Sequence, residues 1–113
     1  MKAQVLIVDD DDALRRALSD RFRFWGHDVS EAADGKGAIE AAARTEFDLI
    51  VLDLSLPDQS GLDVLARLKA DDCPSDIVVL TAHGSVDNAV TALKAGAADF
   101  VQKPADFDWL KSA

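Results

Sequence analysis

The run Gln4-Val5-Leu6-Ile7-Val8, followed at once by Asp9-Asp10-Asp11-Asp12, decides how the chain folds. A continuous aliphatic and β-branched stretch is what a strand covered on both faces looks like, because neither side can face water. Asp48-Leu49-Ile50-Val51-Leu52-Asp53 and Ile77-Val78-Val79-Leu80-Thr81 have the same character. Between these runs the spacing turns helical. Leu14, Leu18, Phe22 and Trp25 draw one stripe, and Gly26 stops that helix. His27 to Ala32 is a weaker strand resting on Val29, and Asp34-Gly35 starts a helix bearing Ala38, Ile39 and Ala42. A loop with Pro57 and Gly61 leads to a helix with Leu62, Leu65 and Leu68. Gly84-Ser85 caps a helix with Val86, Ala89, Val90 and Leu93, and Gly96 ends it. Asp99 to Gln102 form a last strand, and Asp106 caps a final helix. Strict strand–helix alternation predicts one α/β domain, a doubly wound parallel sheet with helices on both faces.

Composition agrees and narrows the function. The 113 residues suit one domain, and 12 Lys or Arg against 21 Asp or Glu give a net charge of −9. Such acidity argues against direct nucleic-acid binding, which needs a basic face. Cys73 is the single cysteine, which excludes an internal disulfide and a cysteine-based metal cluster. No apolar run approaches the roughly 20 residues of a membrane span, and no secretory signal is recognisable, so a cytoplasmic location is expected.

In an open parallel sheet, ligands bind at the carboxyl ends of the strands. The strands stop at Asp9-Asp10, Asp53, Thr81 and Lys103. Three carboxylates, a hydroxyl and an ammonium group therefore converge on one edge. Two carboxylates about 4 Å apart repel by roughly 4 kcal/mol at an effective dielectric near 20, a cost that a hard divalent cation removes. A cation, a lysine and a hydroxyl are together what a transferring phosphoryl group requires, and a facing carboxylate can be its acceptor. Asp11 and Asp12 read as helix-start residues complementing the macrodipole. Asp9 and Asp10, taken alone, read equally as caps or ligands.

Val5-Leu6-Ile7-Val8-Asp9-Asp10-Asp11 resembles the opening of a response-regulator receiver domain of two-component signalling. Leu52-Asp53-Leu54-Ser55-Leu56-Pro57-Asp58-Gln59-Ser60-Gly61 is similar to its phosphoacceptor segment. Val79-Leu80-Thr81-Ala82-His83-Gly84 and Gly96-Ala97-Ala98-Asp99-Phe100-Val101-Gln102-Lys103-Pro104 match its two remaining blocks in order. The resemblance implies the flavodoxin-like strand order 2-1-3-4-5. It implies that Asp53 accepts a phosphoryl group from a phosphohistidine on a sensor histidine kinase or phosphotransfer protein. Mg²⁺ or Mn²⁺ would sit on Asp10, Asp53 and the Ser55 main-chain carbonyl, with Asp9 acting largely through water. Lys103 would pair with the phosphoryl oxygens, and Thr81 and Ala82 would border them. Phe100 would follow Thr81 inward as a switch aromatic, or stay a permanent core residue. The Lys103–Pro104 bond would be cis. Such a domain is no enzyme for outside substrates, although it catalyses its own phosphorylation and dephosphorylation.

The Thr81–Val90 segment looks most like receivers heading NtrC-like or FixJ-like transcription regulators. Residues 1–113 would then be one receiver with its final helix cut short, and homodimerisation would use the last two helices. Phe24 lies off the apolar stripe of the first helix and reads as either a single exposed aromatic or part of a docking surface. Two other functions fit parts of the pattern. A haloacid-dehalogenase-like phosphatase would use Asp9 and Asp11, but Ala13 departs from that motif and Asp53 is left without a role. A phosphorylation-independent pseudo-receiver would keep the fold alone, and the complete set Asp10, Asp53, Thr81 and Lys103 speaks against it.

Overall fold

The structure, a computed structural model, describes residues 2–81 and 86–102. Strands β1 (Gln4–Val8), β2 (Asp28–Ala32), β3 (Leu49–Asp53), β4 (Asp76–Thr81) and β5 (Asp99–Gln102) alternate with helices α1 (Asp12–Phe24), α2 (Gly35–Arg44), α3 (Gly61–Ala70) and α4 (Val86–Lys94). The sheet is wholly parallel in the order β2-β1-β3-β4-β5. This is the predicted doubly wound order, with the chain reversing direction across the sheet between β1 and β3.

The continuous apolar strands are explained by what covers them. Side chains alternate across a strand, so each strand feeds two cores. On one face Leu6, Val8, Ile50, Leu52, Ile77 and Val79 are buried with Ala38 of α2, Val64, Leu65 and Leu68 of α3, and Ala92 of α4. On the other, Val5, Ile7, Val51 and Leu80 are buried with Leu18 and Phe22 of α1. At the sheet edge, β2 keeps only Ala32 buried and Val29 half-buried, which is why its sequence signal is faint.

Local chemistry sets the helix ends. Asp11 caps α1, its carboxylate accepting the Leu14 N–H at 3.1 Å. Asp34 does the same for α2 through Gly37, at 2.7 Å, and Ser60 for α3 through Leu62, at 3.1 Å. Gly26, at φ +91°, turns the chain out of α1 in a conformation that costs side-chain-bearing residues dearly. One expectation needs correction. Val90 and Leu93, read as part of the buried face of α4, are exposed; Ala89 and Ala92 meet the sheet instead. Their short side chains suffice to fill that side of the helix, so the larger ones are turned outward.

Strand register levels the functional edge. Val8 pairs with both Ala32 and Leu52, and Asp53 pairs with Leu80. Asp9 and Asp53, which follow Val8 and Leu52, therefore emerge at one height, and Thr81, which follows Leu80, stands one residue beyond them on the adjoining strand.

Candidate functional site

The strand-end carboxylates come together as the register requires. Ligand-capable oxygens of Asp9, Asp10 and Asp53 all lie within 4.8 Å of one another. Asp9 is fully buried and Asp53 is 2% exposed, whereas Asp10 faces solvent. The pocket thus has two carboxylates in its wall and one at its mouth.

Asp9 and Asp53 are held by main chain. The Asp9 N–H donates to the Ala32 carbonyl at 3.1 Å, tying the residue to β2. Its Oδ1 accepts the Asp11 N–H at 2.9 Å. Asp53 Oδ1 accepts the Ser55 N–H at 3.0 Å, and the next residue, Leu54, donates to Leu80 O at 3.0 Å. Thr81, 1% exposed, has a buried hydroxyl that makes no hydrogen bond among the described residues. A buried, unpaired hydroxyl is costly, roughly 1–3 kcal/mol, and suits a group waiting for a ligand oxygen.

The loop behind Asp53 is unusually tight. The Gly61 N–H donates to Leu54 O at 2.9 Å, and Ser55 pairs with Ser60 in an isolated bridge. A Cβ on Gly61 would stand 2.5 Å from Leu54 Cα and closer still to the Asp53 carbonyl oxygen. Farther along the loop, Asp58 reaches the start of α2. Its two oxygens accept the Gly35 and Lys36 N–H groups at 2.8 and 3.0 Å. Those bonds favour its charged form and hold its pKa below the usual carboxylate value.

Three negative charges this close repel pairwise by about 3–4 kcal/mol at an effective dielectric near 20. The donors are all oxygen and no cysteine or histidine joins them among the described residues, which fits Mg²⁺ or Mn²⁺ rather than a softer metal. Of the other expected site residues, Phe100 is half-buried, packed against the core shared by α2, α3 and α4. Ala82, Lys103 and Pro104 lie outside the described residues. Arg15 and Gly61 were not singled out from sequence as functional, yet Arg15 bonds the Asp9 carbonyl and Gly61 abuts the Asp53 carbonyl. A cleft of about 530 Å³ at the opposite, amino ends of β3 and β4 is lined by Leu68, Cys73 and Ser75 and contains none of these carboxylates.

A doubly wound parallel sheet whose carboxyl edge carries a buried threonine and three aspartates that could hold a metal ion defines the class: an α/β domain with an acidic cluster at its strand ends. Residues 5–113 match the family model for the response regulator receiver domain, and the chain belongs to that family. It is a receiver domain of two-component systems. It is 42% identical over 100 residues to the probable transcriptional regulatory protein TcrX of Mycobacterium tuberculosis, covering 88% of this chain and 43% of that protein. It is 37% identical to the transcriptional regulatory protein ZraR of Escherichia coli K12, covering 96% of this chain and 24% of ZraR. Among solved structures, the signal receiver domain of a putative Luxo repressor protein from Vibrio parahaemolyticus superposes with a TM-score of 0.91 at 38% identity, covering 99% of this chain and 86% of that one. NtrX from Brucella abortus gives 0.92 at 31%, covering 99% and 25%. The chain spans under half the length of the curated relatives it matches. No helix among the described residues is long and apolar enough to cross a membrane.

Proposed function

We propose that this domain is a phosphorylation switch whose acceptor is Asp53. The observation that carries the proposal is the gathering of Asp9, Asp10 and Asp53 within 4.8 Å, with Thr81, its hydroxyl buried, at the end of the strand next to Asp53. The Ser55 N–H fixes one oxygen of Asp53, which orients the carboxylate plane. Asp53 Oδ2 attacks phosphorus in line with the leaving imidazole of a phosphohistidine. The O–P bond forms as the P–N bond breaks, and the imidazole leaves with the electron pair and takes a proton from water. The Thr81 hydroxyl donates to a phosphoryl oxygen, Lys103 pairs with another, and the Ala82 main chain borders the group.

Asp10, Asp53 and the Ser55 carbonyl would hold Mg²⁺ or Mn²⁺. Asp9 would act through water, consistent with its buried position and its bond to the Asp11 N–H. When bound, the cation offsets the charge of the carboxylates and of the phosphoryl oxygens. Hydrolysis of the acyl phosphate in the same pocket returns the domain to its resting state.

Recruitment of Thr81 to the phosphoryl group vacates space that Phe100, half-buried on the adjoining strand, can enter. The two packings bias the surface of α4 and β5; the final helix expected from Asp106 lies outside the described residues. Val90 and Leu93 expose apolar area there, which supports a role in homodimer or output contacts. Its donor is a sensor histidine kinase or phosphotransfer protein in the cytoplasm, and its output is transcription control through another part of a regulator.

Incubation with a small phosphodonor and Mg²⁺, read by intact mass, tests the proposal. A gain of one phosphoryl group that is lost in Asp53→Ala is expected. No gain with any donor would instead identify a pseudo-receiver working through protein contacts alone.

A further inference from the structure

Arg15 lies in the first turn of α1. In the fold its side chain is only 17% exposed, and its guanidinium makes three directed bonds. Nη1 donates to the main-chain carbonyl of Asp9 at 2.8 Å, Nη2 to Asp12 Oδ1 at 2.7 Å, and Nε to Glu31 Oε1 at 3.1 Å. Glu31 belongs to the edge strand β2, where it also meets Arg23 at 3.4 Å. The Asp9 main chain is thus gripped from β2 at both ends: directly through its N–H to Ala32 O, and through Arg15 and Glu31 at its carbonyl.

We propose that Arg15 is a positioning residue, which locks the Asp9–Asp10 peptide against β2 so that both carboxylates stand ready for a divalent cation. The proposal rests on the cation-binding role given to the acidic cluster above. The planar fork of a guanidinium can serve three acceptors in fixed directions, which an ammonium cannot. Asp12, then Glu31, hold its pKa above the ordinary arginine value, so the fork is always charged.

Charge and geometry make opposite demands, which gives the test its force. A cation beside three carboxylates repels a metal ion, so deleting it should tighten metal binding if charge alone mattered. If Arg15 positions the ligands, deleting it should weaken binding. Mn²⁺ affinity, read by the loss of the free-ion electron paramagnetic resonance signal, is to be compared for wild type, Arg15→Gln, Arg15→Lys, Glu31→Gln and, as a remote control, Arg67→Gln. Circular dichroism at the same temperature establishes that each variant is folded. Positioning predicts at least a tenfold loss of affinity in Arg15→Gln. It predicts a smaller loss in Arg15→Lys and Glu31→Gln, and none in Arg67→Gln. Folded Arg15→Gln or Arg15→Lys that binds Mn²⁺ as tightly as wild type, or more tightly, overturns the proposal while leaving the metal site standing. A wild-type protein that binds no Mn²⁺ overturns the metal site, and the proposal with it.

Discussion

Gly61→Ala is the substitution whose consequence is most fully determined by the structure. The added methyl would lie 2.5 Å from Leu54 Cα, about 0.9 Å short of the 3.4 Å at which ordinary contact begins, and closer still to the Asp53 carbonyl oxygen. Both neighbours are backbone, so no side chain can rotate away. Either α3 moves off its core of Val64, Leu65 and Leu68, or the Asp53–Leu54 peptide moves, breaking the Gly61 N–H bond to Leu54 O. Overpacking and one lost buried hydrogen bond together cost about 2–4 kcal/mol. A displacement approaching 1 Å at the acceptor slows phosphorylation by about a hundredfold. Urea unfolding measures the first, and the initial rate of mass gain with a small phosphodonor and Mg²⁺ the second. Gly26→Ala is the internal control. It has no atom within 4 Å of its new Cβ but keeps φ +91°, so it costs about 1–2 kcal/mol with an unchanged phosphorylation rate. Gly61→Ala within about 0.5 kcal/mol of wild type and phosphorylated at the normal rate would refute the steric reasoning.

Other outcomes follow from the same geometry. Because bonds from Gly35 and Lys36 lower the Asp58 pKa, its contribution to stability is fully present above the unfolded value of about 3.8 and drains away as pH falls through the lower folded value. Asp58→Ala should therefore be less stable at neutral pH and lose less stability on acidification, as urea midpoints across the acid range will show. Mg²⁺ at a hundred times its dissociation constant should stabilise the wild type by about 2.7 kcal/mol, and Asp53→Ala far less, by thermal unfolding. Leu65→Ala, at a fully buried position of α3, should cost about 2–5 kcal/mol in urea unfolding. Phe24 is 85% exposed, so Phe24→Lys should shift stability by less than about 0.5 kcal/mol. If Phe24 also docks a kinase, that variant will slow transfer from the phosphorylated kinase while leaving small-donor phosphorylation intact.

What could be read from sequence was whatever depends on short-range pattern. The three continuous apolar runs became β1, β3 and β4, because burial on both faces leaves no polar position to interrupt them. Asp9, Asp10, Asp53 and Thr81 were legible as a group since a parallel sheet sends all its strand ends to one edge. The helix-start reading of the aspartate run is seen in the structure, where Asp11 caps α1 and Asp12 begins it, while Asp9 and Asp10 lie in the acidic cluster with Asp53. Residues that act across elements left no such trace. Arg15 and Glu31 are sixteen positions apart, and Asp58 and Gly35 twenty-three, so nothing local marks either pair. Gly61 looked like an ordinary loop glycine, and only the close approach of the Asp53–Leu54 backbone reveals why a side chain is excluded. The face of α4 was misjudged at Val90 and Leu93 because a short helix rich in alanine can be turned either way without changing its hydrophobic pattern.

The central claim, that Asp53 is the acceptor, is tested most directly by locating the phosphoryl group. Protein phosphorylated by a small donor with Mg²⁺ is reduced with borohydride, which converts an aspartyl phosphate to homoserine, and is mapped by tandem mass spectrometry. Homoserine at position 53 and at none of the other aspartates is the predicted result. Conversion of Asp9 or Asp10 instead, or a phosphate found on a serine or threonine, would contradict it.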